Sequence, residues 1–351
     1  MICALPLVVH GQLATPKYSN EFMNLGAGAS FMAVGQAGSS AVDDAEAGYW
    51  NPAGLVRMES DYQIGLMHAA YFAGIANYDY ATIAAKLDTS SAIGLSVIRF
   101  AVDNIPDTRA LFDANGSIHY DRIQMFSAQD FGFLLTYARK SSLLGGISLG
   151  ANAKVIYRKA GVFSQAIGFG IDMGTQKQLG QWQLGVTGKD IFGTFNAWSH
   201  NPEELREIFQ LTGNDVPINT LEVTLPRLIL GISRKITLPK QIILMPLLDL
   251  DVTFDGKRNT LLRSNFASLD PHGGVSIGYR DLIFVRLGVS QFQQFERLSG
   301  TKRWSFLPSG GIGINVGEIN IDYAMTDIGD RAQGLYTHVF SVKARLYAKE
   351  K

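Results

Sequence analysis

"SQAIGFGIDMG", residues 164–174, changes character at every step. Ile167, Phe169, Ile171 and Met173 fall on one face, and Gly168, Gly170, Asp172 and Gly174 on the other. A period of two is that of an extended strand, whose successive side chains point to opposite faces. The alternation recurs along the chain. Phe340, Val342, Ala344 and Leu346 oppose Ser341, Lys343 and Arg345, and Ile319, Ile321 and Tyr323 oppose Asn320 and Asp322. Leu248, Leu250, Val252 and Phe254 oppose Asp249, Asp251 and Thr253, while Ile283, Val285, Leu287 and Val289 oppose Arg286 and Ser290.

Two architectures use such strands. A soluble sandwich buries the apolar face, whereas a membrane barrel turns it toward lipid and keeps the polar face in the lumen. Strand length favours the barrel, because many runs reach the roughly ten residues that a tilted membrane strand needs. Aromatic residues are expected at interface girdles near strand ends: Tyr78, Tyr80, Phe100, Tyr157, Trp182, Tyr279 and Trp304. Fourteen strands are predicted, over 61–69, 75–87, 91–101, 128–139, 145–158, 164–176, 181–190, 222–234, 240–254, 271–280, 281–291, 304–316, 318–327 and 335–348. The fold expected is all-β, a 14-stranded antiparallel transmembrane β-barrel with an N-terminal helical plug or hatch segment.

Composition agrees. The 351 residues carry no net charge, charged residues make up 18%, and there are 37 glycines. The charged fraction is below the ~25% of soluble domains. The neutral balance leaves no footprint for nucleic acid. The single cysteine, Cys3, excludes a disulfide framework or a cysteine-based metal site. Ile2 to Val9 read as the apolar core of a secretory signal lacking its charged start, with cleavage expected ahead of Gln12. The expected organisation is a signal over 1–11, a hatch over 12–60 and the barrel over 61–351. No run reaches the ~18 apolar residues of a membrane helix.

The connections alternate in length. "DTSS", "KSSLLG", "KQLG", "KITLP", "YRD" and "VGE" are short. The intervening loops, residues 102–127, 192–220, 255–270 and 291–303, are long. Short turns are expected to face the periplasm and long loops the exterior, which puts both termini of a fourteen-stranded barrel in the periplasm. Within the second long loop, "NPEELREIFQLTG" (201–213) predicts a short helix. Asn201 caps it, Pro202 opens it, and Glu203 and Glu204 complement its dipole. Leu205, Ile208, Phe209 and Leu211 form its apolar stripe, which reads first as packing over the barrel mouth, with a docking or gating surface as the sharper alternative.

Ahead of the first strand lies a segment rich in Gly, Ala and Ser that ends in "DDAEAGYWNPAGLVRMES" (43–60). Small side chains suit a segment folded into a barrel interior. Asp43 or Asp44 is expected to cap a one-turn helix through Tyr49. Asn51 before Pro52 is driven out of the helical region, which ends that turn. The motif Trp50, Asn51, Pro52, Ala53 and Gly54 is therefore read as the closing element of a plug.

"YSNEFMNLGAGASFMAVGQAGSSAVDDAEAGYWNPAGL", "GLMHAAYFAGIANYDYATIA" and "LSVIRFAVDNIPDT" resemble the PorV/PorQ family of Bacteroidetes outer-membrane proteins, in the PorV-like branch, whose barrel is FadL-like. The resemblance implies a component of type IX protein secretion in the bacterial outer membrane. Such a component binds exported proteins through their C-terminal sorting domains and shuttles them between translocon and attachment complex. The partners implied are outer-membrane lipid and lipopolysaccharide, a type IX translocon barrel, attachment-complex proteins or exported cargo. The chain is shorter than a standard PorV. The alternative is a FadL-like passive channel for hydrophobic small molecules, which needs an apolar lumen pocket and a kinked or broken wall strand. A lumen filled by hatch and charged pairs would instead favour protein binding.

No enzyme and no cofactor are expected. The histidines are scattered, with no HExxH pair for zinc and no G-x-S-x-G elbow. "DANGSIHYD" (113–121) reads as a tight turn rather than a calcium loop, because Gly116 comes two positions early. Asp249, Asp251, Arg286, Lys343 and Arg345 fall on predicted lumen faces. They are candidates for a gating ion-pair network, or simply fill the lumen.

Overall fold

The structure is a computed structural model. It describes residues 19–348 except 72–73, 114, 143–144, 212, 214, 216–218, 297–299 and 327–335. The expected signal segment lies outside the described residues.

Fourteen antiparallel strands close into a barrel. In chain order they are β1 (Tyr62–Tyr71), β2 (Ala76–Lys86), β3 (Ser91–Asp107), β4 (Gln124–Ser141), β5 (Ile147–Ala160) and β6 (Ser164–Leu179). β7 comes in two segments, Trp182–Lys189 and Thr194–His200, and β8 in three, Thr220–Thr224, Arg227–Arg234 and Ile236–Leu238. Then follow β9 (Ile242–Thr253), β10 (Ser268–Tyr279), β11 (Ile283–Glu296), β12 (Lys302–Val316), β13 (Ile319–Thr326) and β14 (Thr337–Leu346). β1 pairs with β14 from Tyr62↔Leu346 to Ala70↔His338, so the sheet has no free edge.

The exterior is apolar. Leu66, Leu95, Ile167, Phe169, Leu287, Ile312 and Phe340 are all exposed on it. A belt of this kind suits lipid, not water. It is interrupted where His68 Nδ1 lies 2.7 Å from Asp79 Oδ1 and Arg99 pairs with Asp79 at 3.1 Å, on the outward positions of β1, β2 and β3.

The sequence reading of the wall needs correction. The second segment of β7, Thr194–His200, continues the wall where a loop from 192 was expected. β3 runs on to Asp107 through a bulge between Val102 and Ile105, with Asn104 at φ 57°. β11 extends to Glu296 and β12 begins at Lys302, so most of the expected loop over 291–303 is strand. Finally, Tyr78, Tyr80 and Phe100 do not form a girdle. They point inward, Tyr78 and Tyr80 being fully buried, and pack against the hatch, whereas Trp182, Tyr279 and Trp304 are exposed at strand ends.

The hatch, residues 19–60, threads the lumen as two one-turn helices, α1 (Ala29–Met32) and α2 (Ala47–Trp50), flanked by 3-10 turns at Glu21–Asn24 and Pro52–Arg57. It begins near the long-loop end, where Ser19 and Asn20 meet Thr224, and joins β1 at the short-turn end. The apolar core lies between the hatch and the first strands: Met32, Val42, Leu55 and Met58 pack against Tyr78, Ile98, Leu134 and Ile156. The lumen faces of β6 to β12 are mostly polar, and there the hatch is held by hydrogen bonds and ion pairs and by a small apolar cluster of Val34, Ala37 and Ala41 against Leu247.

Candidate functional site

The hatch is locked through its Asn-Pro-Ala-Gly motif. Asn51 is fully buried and extended, with φ −158°. Its Nδ2 donates to the carbonyls of Ser39 at 2.8 Å and Thr175 at 3.1 Å, while its Oδ1 accepts from Ala53 N at 3.1 Å. One side chain thus ties two parts of the hatch to the wall. Trp50 Nε1 donates to Ala27 O at 2.8 Å. The Pro52–Ala53 backbone lies so close to β5 that a Cβ on Gly150 would sit 2.3 Å from it, and Gly54 abuts Val42 O in the same way. The capping expectation is corrected: α2 starts at Ala47 with Glu46 as its N-cap and no side-chain cap bond. Asp44 instead accepts from Glu46 N at 2.9 Å, just before the helix.

The five candidate lumen charges do not join one another in a single network. Asp249 accepts from the hatch at Ser39 N, 2.8 Å away. Asp251 pairs with Arg227 at 3.3 Å and His272 at 3.2 Å. Arg286 pairs with Asp322 at 2.6 Å. Lys343 reaches into the hatch, 2.7 Å from Asp44 and 3.4 Å from Glu46. Arg345 sits at the short-turn end and donates to Gly317 O at 3.0 Å. Burial, opposed by the neighbouring Lys343, pushes the Glu46 carboxyl up to about 8.

β7 is broken. Its pairing with β6 stops at Met173↔Gly188 and resumes at Phe169↔Phe195, so residues 170–172 face residues 189–194. Asp190 turns the chain at φ 55°, and Phe192 projects from the outer surface. On the other side, β8 is interrupted at Leu225–Pro226, since Thr194 pairs with Thr224 and Lys189 with Arg227. Proline cannot donate to a ladder, which is why an interruption falls there. Behind the gap, Lys154 Nζ lies 2.5 Å from Asp190 Oδ1 and 2.8 Å from Asp172 Oδ1, all three largely buried.

Cavities run from the long-loop mouth toward this gap. The largest on this route, about 440 Å³, is bordered by the first hatch turn and by β8 to β11 and is lined by polar and charged residues. Smaller cavities of about 20–30 Å³ continue past Asn24, which borders each of them, to Lys154, Asp190 and Pro226. The apolar lumen pocket required for a hydrophobic channel is not found among these.

The loop helix forms as α3, Pro202–Leu211, with Asn201 Oδ1 accepting from Glu203 N at 3.2 Å. Leu205 and Phe209 are half-buried; the side chains of Ile208 and Leu211 lie outside the described residues. Arg109 holds the helix to the preceding loop, 3.0 Å from Glu204 and with its guanidinium 4.6 Å from the centre of the Phe163 ring. Asp113 closes the 113–117 turn by accepting from Asn115 N and Ser117 N, each at 2.9 Å. Ser164 Oγ bonds His200 Nδ1 at 2.8 Å, but among the described residues no carboxylate bonds that ring, so no relay is assembled.

The sequence reading missed Lys154, Asp190, Arg227 and His272. The only signal for them was their inward parity on predicted strands, and Asp190 stood at a strand end.

No family model matches the chain, and no curated protein matches it in sequence. Solved structures do. The toluene transporter TodX of P. putida superposes with a TM-score of 0.60 at 13% identity, covering 92% of this chain and 99% of that one. The toluene transporter TbuX of Ralstonia pickettii gives 0.55 at 15%, covering 92% and 99%. A Pseudomonas aeruginosa FadL homologue gives 0.50 at 13%, covering 90% and 96%. At such identities the likeness shows a shared fold, that of a FadL-like barrel.

Proposed function

We propose that this protein resides in a bacterial outer membrane, short turns toward the periplasm, and acts as a passive conduit for small hydrophobic molecules. The observation that carries this reading is the gap in β7, Asp190 to Gly193, beside the interruption of β8 at Leu225–Pro226. An interrupted wall strand is the one feature that gives a lumen a sideways outlet into lipid. The barrels of the same fold that are named toluene transporters support it. The polar cavities behind the gap mean that the hatch's first turn, with Asn24, must move for an apolar solute to pass. The test is uptake of labelled toluene by cells expressing the full chain or a variant lacking Asp190–Phe192, which restores an equal residue count against β6. Uptake that the deletion abolishes supports the conduit. Uptake at the level of cells without the protein sinks it.

A second reading is a PorV-like component of type IX secretion that binds and shuttles exported proteins. It is favoured by a lumen filled by an ion-paired hatch and by the resemblance carried by residues 18–107. Recovery of a translocon barrel or of proteins with C-terminal sorting domains, after mild-detergent capture from native membrane, would support it. A clean monomer would remove it.

A further inference from the structure

The short-turn ends that join β4 to β5, β6 to β7 and β8 to β9 carry six cations and no acid. Arg139 and Lys140 stand at the end of β4, Lys177 near the end of β6, and Arg234, Lys235 and Lys240 where β8 passes to β9. The other connections at this end mix their signs, as Lys86 does with Asp88 and Arg280 with Asp281. β4 to β9 are neighbours in sequence around the barrel, so the six cations occupy one arc of its rim. Their polar partners are neutral: Lys177 Nζ donates to Gly145 O, and Arg234 Nη2 to Gln181 Oε1 at 3.2 Å. Among the described residues none of the six enters an ion pair. Like charges gathered without a counter-charge repel, and an anion among them relieves the repulsion.

The arc also borders the lipid-facing surface. Arg139 shares its face of β4 with Phe133, Leu135 and Tyr137, and Lys177 shares its face of β6 with Ile171 and Met173. Arg234 lies over the exposed Trp182 ring, 5.0 Å from its centre. Aromatic rings and long cationic side chains at the edge of an apolar belt suit the headgroup layer, with stems along apolar surface and charges reaching out. A soluble acidic partner would meet the turns and leave these three outward side chains unused.

We propose that this arc binds anionic phospholipid headgroups, phosphatidylglycerol in preference to zwitterionic lipid, in the leaflet that the short turns face. The inference rests on membrane residence and on nothing that passes through the lumen, so the conduit reading can fail without it.

The test is tryptophan quenching on the full chain in vesicles of equal parts phosphatidylglycerol and phosphatidylcholine, with one or the other brominated near its headgroup. Trp304→Phe leaves Trp182 as the reporter on the outer surface, since Trp50 is buried in the hatch and Trp198 bonds Glu222 on the inward side at 2.6 Å. Brominated phosphatidylglycerol should quench at least about twice as strongly as brominated phosphatidylcholine. Replacing Arg139, Lys140, Lys235 and Lys240 together by Gln, with Arg234 kept beside Trp182, should bring the two lipids close to equal. Salt at about 1 M, where screening acts within ~3 Å, should do the same to the unsubstituted arc. Heat-modified electrophoretic mobility shows that the variants still form the barrel. Equal quenching without substitution, or a preference that survives the four substitutions, would overturn the proposal. No quenching by either lipid would remove the protein from the bilayer and the proposal with it. Equal quenching together with retention of polyglutamate on phosphatidylcholine vesicles would give the arc to an acidic protein instead.

Discussion

Lys154 on β5 joins Asp172 of the intact strand β6 to Asp190, the residue that opens the gap in β7, at 2.8 and 2.5 Å. One ammonium group thereby spans the place where the wall ladder is thinned to the bond from Ile191 N to Ile171 O at 3.0 Å. Removing it leaves two buried carboxylates without their nearest counter-charge. Lys154→Met is expected to destabilise the barrel by roughly 3–5 kcal/mol, the range for breaking a buried pair from one side. Adding Asp172→Asn and Asp190→Asn should recover much of that loss. Urea unfolding in micelles measures both, and a single-variant change under about 1 kcal/mol would show that the ion pair does not hold the gap.

Glu46 gives the hatch a pH dependence. Its carboxyl is raised from an ordinary 4.5 to about 8, chiefly by burial. Between those values the seated hatch keeps a proton that the unfolded chain releases. Stability from this group is therefore full below pH 4.5, declines as pH rises and is lost by about pH 8. Glu46→Gln holds the neutral form throughout. Thermal unfolding should thus show the variant gaining on the parent protein as pH rises through that window; parallel curves would rule this out.

Asn51 is the most concentrated hatch contact. Asn51→Ala strips a donor from two buried carbonyls and an acceptor from Ala53 N. Ser39 O keeps Gln176 Nε2 as a donor at 3.0 Å, and each group left unsatisfied costs about 1–3 kcal/mol. Amide exchange in the hatch should accelerate at least tenfold while strand amides of β10 to β14 stay protected. Uniform acceleration would mean that the hatch and wall open together.

Gly150 tests the same seat from the wall side. A methyl group there would lie 2.3 Å from Pro52 and Ala53 backbone atoms, which have no flexible tip to swing away. Gly150→Ala should expose Asn51 amide protons without dismantling the barrel; a protein with an unchanged hatch would contradict the close approach.

Arg109 should control the outer loops. Arg109→Ala releases Glu204 and the Phe163 ring, and proteolysis between residues 201 and 219 should speed up several-fold, since local openings govern cleavage. Unchanged cleavage would show that α3 is held by other contacts.

Much of the barrel was legible because a strand's side-chain period is two whatever surrounds it. Ile167, Phe169, Ile171 and Met173 face out and Asp172 faces in, as their alternation requires. The same rule misled at Tyr78, Tyr80 and Phe100. In β2 and β3 both faces carry apolar residues, and periodicity shows which side chains share a face, not which face meets lipid.

By itself the sequence determined the strand-rich architecture, the face partition of most strands and the small-residue segment that enters the lumen, because these follow from local backbone geometry and side-chain size. Only the tertiary structure decided the rest. Asp44 meets Lys343 across 299 positions, Asn51 meets Thr175 across 124, and Lys154 meets Asp190 across a gap that reads locally as an ordinary turn. Barrel closure and hatch path set those encounters. No local spacing encodes them.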